Sequence, residues 1–269
     1  MIYLKRLIIP ILIIASCKPS GLLTLEGSIN NSLTEVSAAE LSNTSDLIWV
    51  IEDSGNDNNL YGLNKKGEIV KSIGIKNSKN TDWEDLTSDS LGNIYIGDFG
   101  NNKHKRNHFK IYKISHEDLN KNVAVAETIE FTMPKEHHSK DFESFFLYKS
   151  NFYIFSKETK TFIVLKVPNK IGEHKAKLHS DYNLDGKHNR LTSADISDDG
   201  KIVVLLNHDK LWKITDFEND NFLAGTIKEK PFKHDSQKEG ICFKTESSVF
   251  ITDERSGSDG GNIYSFSLN

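Results

Sequence analysis

Trp83-Glu84-Asp85-Leu86, then Asp89-Ser90-Leu91-Gly92-Asn93, then Ile94-Tyr95-Ile96-Gly97-Asp98: an acidic start leads into an apolar run, turns through Asp, Gly and Asn, and returns as a second apolar run ending in Asp. The pattern comes back as Glu239-Gly240-Ile241-Cys242-Phe243 and Val249-Phe250-Ile251-Thr252-Asp253. Recurrence at intervals of about fifty residues, with four strand-like runs in each, is the sequence mark of an all-β propeller.

Working outward from that stretch, runs rich in Ile, Val, Phe, Tyr and Leu and bounded by turn residues fall into blades. Blade 1 is expected at 36–42, 47–53, 59–63 and 68–74, and blade 2 at 84–89, 93–98, 109–114 and 126–132. Blade 3 is expected at 143–148, 151–157, 161–166 and 174–179, and blade 4 at 191–197, 201–207, 210–214 and 224–229. Blade 5 has three runs, 240–244, 248–254 and 262–268. Leu22-Leu23-Thr24-Leu25-Glu26-Gly27 precedes blade 1 and fits as the missing outermost strand of blade 5. Such closure removes exposed sheet edges. The expectation is five four-stranded blades; six, with a degenerate blade hidden in 115–125 and 133–140, is the alternative. Glu117 to Val125 is the one helix-like stretch, and it lacks a sustained period of 3.6.

The ends set the domain plan. Lys5 and Arg6 precede a short apolar stretch, Leu7 to Ile14, interrupted by Pro10. It is too short for a permanent membrane helix and reads as a signal peptide over 1–16. Ile14-Ala15-Ser16-Cys17 has the form of a lipobox, so Cys17 is the expected lipidation site. Residues 17–21 would be a lipidated tether and 22–269 one propeller domain. Two or more acyl chains anchor a protein stably, which places the chain in the cell envelope. Lys18 after the Cys favours an outer membrane over retention at an inner one. Without Lys5 and Arg6 the balance is 32 basic against 38 acidic side chains, a net −6. That acidity gives no reason to expect nucleic acid as a partner. Cys242 is then the only other cysteine, so no internal disulfide is expected, and its place in an apolar run makes it a buried small hydrophobe. A monomer is expected.

In a propeller the innermost strand of each blade lines the channel, and the second runs antiparallel to it. The start of the first and the end of the second therefore share one mouth. This gathers Glu84, Glu143 and Glu239, with Thr192 in blade 4 and Ser37 or Ala38 in blade 1, and a second ring of Asp53, Asp98 and Asp253, with Ser156 and Asn207. Converging carboxylates must be protonated, hydrated or neutralised by a cation, and an oxygen-rich set suits Ca²⁺ better than Zn²⁺. The metal candidates are accordingly Glu84, Glu143, Glu239, Asp98, Asp53 and Asp253. The competing reading is that such acids hydrogen-bond neighbouring blades. Trp83, Asn101, Arg255 and Asn207 are candidates for the rim that meets a ligand, and Glu84, Asp85 and His208 for catalysis. Ten histidines are present without a zinc spacing; His137 and His138 are adjacent and would face opposite ways on a strand. Nucleophile-elbow and phosphate-loop motifs are absent.

Glu35-Val36-Ser37, Asp53-Ser54-Gly55, Asp82-Trp83-Glu84-Asp85-Leu86, Ile96-Gly97-Asp98-Phe99-Gly100-Asn101-Asn102, Asp141-Phe142-Glu143, Ala194-Asp195-Ile196-Ser197-Asp198-Asp199-Gly200 and Glu239-Gly240-Ile241 occur in this order. Together they resemble a family of envelope propeller lipoproteins common in Bacteroidetes. That family is similar to the SdiA-regulated family and, more distantly, to the esterase-like-phytase and gluconolactonase-type calcium propellers. The resemblance spans about residues 33–268 and implies a cation at the channel mouth, held partly by a Glu such as Glu239. Two departures stand out. Ser37-Ala38-Ala39 replaces the family's Ser-Gly followed by an apolar residue, and the catalytic His of the lactonase-type propellers has no obvious counterpart. Three functions are compatible with this reading: a lipid-anchored module that binds an envelope ligand or protein at a Ca²⁺-loaded mouth, a metal-dependent phosphoesterase, esterase or lactonase using the same mouth, or a structural interaction propeller.

Overall fold

In a computed structural model, which describes residues 20–184 and 189–269, the chain forms five sheets around a central channel, each built on a four-stranded antiparallel blade. From the channel outward, blade 1 is Glu40–Leu41, Ile48–Val50, Asn59–Leu63 and Ile69–Lys76, and blade 2 is Trp83–Ser88, Ile94–Asp98, His108–Ile114 and Glu127–Thr132. Blade 3 is Phe142–Tyr148, Asn151–Ser156, Thr161–Pro168 and Lys177–Asn183, and blade 4 is Ser193–Ile196, Val203–Leu206, Lys210–Thr215 and Thr226–Pro231. Blade 5 is Lys238–Thr245, Ser248–Asp253 and Asn262–Ser267, completed by Thr24–Ser28 from the other end of the sequence. That last strand pairs antiparallel with Asn262–Ser267, matching Thr24 with Ser265 and Ser28 with Asn262. The ring is closed as expected, with five blades rather than six. Cys17 and the signal segment lie outside the described residues.

The hydrophobic pattern explains the ring. Second strands such as Ile94–Asp98 and Val203–Leu206 are buried along their whole length, because neighbouring blades cover both of their faces. Outermost strands such as Thr226–Pro231 are largely exposed. The core is correspondingly five clusters, one between each pair of blades. Trp49, Leu60 and Ile73 of blade 1 meet Trp83, Ile96 and Tyr112 of blade 2. At the closing interface Val36, Ile48 and Val50 of blade 1 meet Cys242, Phe250 and Ile263 of blade 5. Cys242 is thus a buried packing residue, and burial pushes its thiol pKa well up. Fully burying one such aliphatic or aromatic side chain is worth about 1.5–3 kcal/mol.

Three details differ from the sequence expectation. The run expected at 174–179 is two strands: Gly172–Lys175 pairs parallel with the outer strand of blade 2, and Lys177–Asn183 belongs to blade 3. The chain changes sheets at the buried Ala176. Likewise Val123–Val125, inside the helix-like stretch, pairs parallel with Ile69–Lys76 of blade 1, preceded by a 3₁₀ turn at His116–Asp118. Each long connection thus covers the exposed edge of the blade before it. The inner strand of blade 1 is only Glu40–Leu41, with an isolated bridge between Val36 and Glu52. Ala38 and Ala39 lie against Gly240, where even a Cβ would come within 2.5 Å of their backbone. The inner strands of blades 1 and 5 converge too closely there for larger side chains.

Candidate functional site

The inner edge of every blade presents backbone N–H groups that no fifth strand satisfies, and inner-strand side chains take that role. Asp85, fully buried, accepts from Phe145 N of blade 3 at 3.1 Å, Ala194 N of blade 4 at 3.2 Å and the Ser193 hydroxyl at 2.9 Å. Ser193 accepts from Ile241 N of blade 5, Asp195 from Phe243 N, and Thr87 from Leu147 N. Asp85 therefore stitches blades in the channel, although burial pushes its pKa well up against those hydrogen bonds. An unsatisfied buried donor would cost about 1–3 kcal/mol.

At the mouth where the inner strands begin, Glu84, Glu143 and Glu239 share a device that the sequence does not advertise. In blade 2, Trp83 pairs with Asp98 and Asp85 with Gly97, leaving Glu84 as an extra residue. In blade 3 the register jumps in the same way across Phe142 and Ser144, and in blade 5 across Lys238 and Gly240. Each glutamate is thus the extra residue of a β-bulge, a distortion that re-aims a side chain at the rim of a barrel or site.

The three bulged glutamates meet different partners. Glu143 contacts Lys157 Nζ directly, and Lys157 sits one residue past the second strand of blade 3. Glu239 Oε1 lies 3.0 Å from Nε2 of His208, two residues past the second strand of blade 4. Glu84 faces two further acids: carboxylate oxygens of Asp53, Asp82 and Glu84 lie within 4.8 Å of one another. Burial first, then the charges of Glu143, Asp53 and Asp82, push the Glu84 carboxyl well up, opposed by Lys157. Burial, with Asp82 and Glu35 adding to it against the Ser54 hydrogen bonds, pushes Asp53 up to about 6. For Lys157 burial opposes the charge, yet Glu143 and Glu239 outweigh it and the pKa is raised. Burial also pushes Glu143 up to about 8 against Lys157, which would leave it neutral at pH 7. The direct contact between the two supports the ion pair instead.

The loops hold this trio in place. Asn80 Nδ2 donates to the carbonyls of Glu52 and Asp53, both at 2.9 Å, and its Oδ1 accepts from Trp83 N. This ties the end of blade 1 to the start of blade 2. Asp98 accepts from Asp82 N at 3.1 Å and pairs with Arg106 at 2.9 Å. A Cβ on Gly100 would overlap Glu84 Oε1 and crowd the Asp82 carboxylate, so the backbone there closes the back of the trio.

Of the residues singled out from sequence, Asp53 and Glu84 come together, with Glu143, Glu239 and His208 around the same mouth. Asp98 and Asp253 are instead buried within their blades; Asp253 accepts from Asn262 N at 2.7 Å and the Tyr264 hydroxyl at 3.1 Å. Trp83 is fully buried against Tyr112, with its indole N–H on the Lys79 carbonyl, away from the rim. Asn101 is buried and knits its own loop to Asp141, Ser139 and Lys140. Asn207 accepts from Asp209 N and Lys210 N in a tight turn. Arg255 turns back to the Ile29 carbonyl at 2.7 Å. Two residues of the site escaped the strand-end rule. Asp82 precedes its strand, though the spacing of Asp82 and Glu84 puts both on one side of an extended chain. Lys157 is one position beyond Ser156, because the bulge at Glu143 shifts what faces the mouth.

No family model matches the sequence, and no curated protein matches it. Among solved structures, the chain is similar to Kuenenia stuttgartiensis hydrazine synthase, with a TM-score of 0.41 and 11% identity over 86% of this chain and 58% of that one. The chain therefore spans little more than half of that protein's length, and at this TM-score the likeness carries no argument; the propeller rests on the sheet topology above.

Proposed function

We propose that this chain is a lipid-anchored binding module of the cell envelope whose upper mouth takes a divalent cation, Ca²⁺, on Asp53, Asp82 and Glu84. The observation that carries the reading is the convergence of three carboxylates from two blades within 4.8 Å, one of them buried. Glu143 and Glu239 have a lysine and a histidine in direct contact, whereas no ion pair to this trio occurs among the described residues, and a hard cation with oxygen ligands would resolve such a cluster. A bound cation with open positions on the mouth side would present a Lewis-acidic face to an anionic or carbonyl oxygen of an envelope ligand. Kinship with the Bacteroidetes-type envelope lipoproteins and the SdiA-regulated family belongs to this proposal, as do lipidation at Cys17 and an outer-membrane location. The direct test is calorimetric titration of the purified protein with Ca²⁺ after EDTA treatment. Saturable binding lost in Asp82→Asn supports the site; no heat, or binding unchanged in that variant, refutes it.

The His208–Glu239 pair favours a second reading, a hydrolase, because a carboxylate that orients a histidine beside a cation is the arrangement of a general base. Turnover of model phosphoesters, esters or lactones that requires Ca²⁺ and is lost in His208→Gln would favour it. A lack of turnover with intact Ca²⁺ binding leaves the binding module.

A further inference from the structure

The opposite mouth, where the inner strands end, opens into a funnel of about 860 Å³. Seven carboxylates and three lysines line it. Its floor holds Glu40 of blade 1 and Asp195 of blade 4, only 5% and 7% exposed. Asp195 is fully engaged: Oδ1 accepts from Ile196 N and Oδ2 from Phe243 N. Glu40 is half engaged. Its Oε1 accepts from the Ser88 hydroxyl at 2.7 Å, while Oε2 is buried without a hydrogen-bond partner. A buried carboxylate oxygen left unpartnered costs more than a neutral group, so its presence on a funnel floor asks for a donor from outside the chain. Leu41, Leu147, Ile196 and Phe243 add apolar surface to an otherwise polar lining.

We infer that this lower funnel is a binding site for an alkyl-guanidinium or alkyl-ammonium group, with Glu40 Oε2 as its acceptor. A bare divalent ion is the wrong occupant. Among the described residues the trio whose ligand atoms converge within 4.8 Å lies at the other mouth, whereas here the acids are spread and half of their oxygens already accept N–H groups. A guanidinium carries its donors over several ångströms on a planar fork, and its methylene stem can lie along side chains such as Leu147 and Phe243. Burial, and then the charge of Asp195, push the Glu40 carboxyl well up, with the Ser88 hydroxyl opposing them, so a cation brought to Oε2 would draw the carboxyl towards its charged form. The same chemistry is offered by a free guanidine or polyamine and by an Arg or Lys side chain of a protein.

The test is isothermal titration of the purified protein, in EDTA, with butylguanidine, its neutral isostere butylurea, spermidine and the tripeptide Gly-Arg-Gly. Butylguanidine is expected to bind about tenfold more tightly than butylurea and to release protons, read by repeating the titration in buffers of different ionisation enthalpy. Glu40→Gln should weaken it by about tenfold, and the exposed Asp198→Asn, which leaves the floor intact, by about twofold to threefold. Tighter binding of the tripeptide than of butylguanidine or spermidine assigns the group to a protein partner, and the reverse order to a small amine; either supports the site. Equal binding of butylurea, full binding in Glu40→Gln, or no binding of any cation overturns it. Should Glu40→Gln fail to fold, unchanged affinity in Asp198→Asn overturns it equally.

Discussion

Replacing Asp53 by Asn should stabilise the metal-free protein and remove its response to Ca²⁺, a reversal of sign that a structural acid could not produce. Folded Asp53 holds its proton up to about 6 against an ordinary value of 3.8, chiefly through burial. The folded state therefore binds more protons than the unfolded one between these values. Stability is fully present below 3.8, is lost as pH rises to about 6, and is flat above that. Taken whole, a shift of this size amounts to about 3 kcal/mol, and solvent screening at a half-buried side chain reduces it to about 2 kcal/mol. Asn keeps the size and the acceptor for Ser54 N but has no charge to confine. In EDTA at pH 7, Asp53→Asn should thus be more stable than the wild type by about 2 kcal/mol, with the difference shrinking towards pH 4. In Ca²⁺ at a hundredfold excess over Kd, the wild type should gain about 2.7 kcal/mol, or about 5–10 °C in Tm, and the variant little. Urea and thermal unfolding with and without Ca²⁺ at the two pH values measure all four corners. A variant that is less stable than the wild type in EDTA, or that gains as much from Ca²⁺, would refute the cation site.

Four further outcomes follow from the same geometry. Lys157→Met leaves Glu143 buried without its cation and should cost about 2–3 kcal/mol in urea unfolding, of which Glu143→Gln in the double variant restores at least half. Asp85→Ala removes the acceptor of three backbone N–H groups and one hydroxyl, and should cost about 3–4 kcal/mol while Ca²⁺ affinity by titration stays within about twofold. Gly100→Ala forces a methyl against Glu84 and Asp82, so Ca²⁺ affinity should fall by about tenfold with the β-sheet circular dichroism retained. Deleting residues 1–28 strips the outer strand from blade 5, and light scattering should then show self-association through the freed edge of Asn262–Ser267.

The five blades were legible because strands that are buried on both faces must be written as short apolar runs between turn residues, and because a period of about fifty residues repeats that demand five times. The closing strand was legible as well, since Leu22 to Gly27 has strand composition and no blade of its own. The parallel strands Val123–Val125 and Gly172–Lys175 were not. They are short and partly exposed, and they exist because a neighbouring edge is available rather than because of their own pattern. At the mouth, counting strand ends brought Glu84, Glu143, Glu239, Asp53 and His208 to one face but placed Trp83 and Asn101 there too. Hydrogen bonds to Ser139, Lys140 and Asp141 bury Asn101, and bulges account for the rest. One extra residue at Glu84 turns Trp83 into the core, and one at Glu143 brings Lys157 rather than Ser156 to the mouth.

The two kinds of channel acid now separate on a physical criterion. A ring of inner strands leaves unpaired N–H groups facing the axis, so polar side chains must line it whatever the protein does. Asp85 and Asp195 meet that need, since their oxygens accept N–H groups of their own and neighbouring blades. Replacing such acids damages the fold first. Glu84 and Glu40 stand outside this economy of hydrogen bonds. Glu84 is lifted off its ladder by a bulge to face Asp53 and Asp82, and Glu40 keeps one buried oxygen without a partner. Neither arrangement improves the packing of a propeller, and both raise the free energy of the empty protein through burial of charge. Acids of the first kind explain why the channel is acidic. Those of the second kind are the positions that the proposed ligands would occupy, at opposite ends of one channel: a metal ion would suit the converging trio and an organic cation the spread pair.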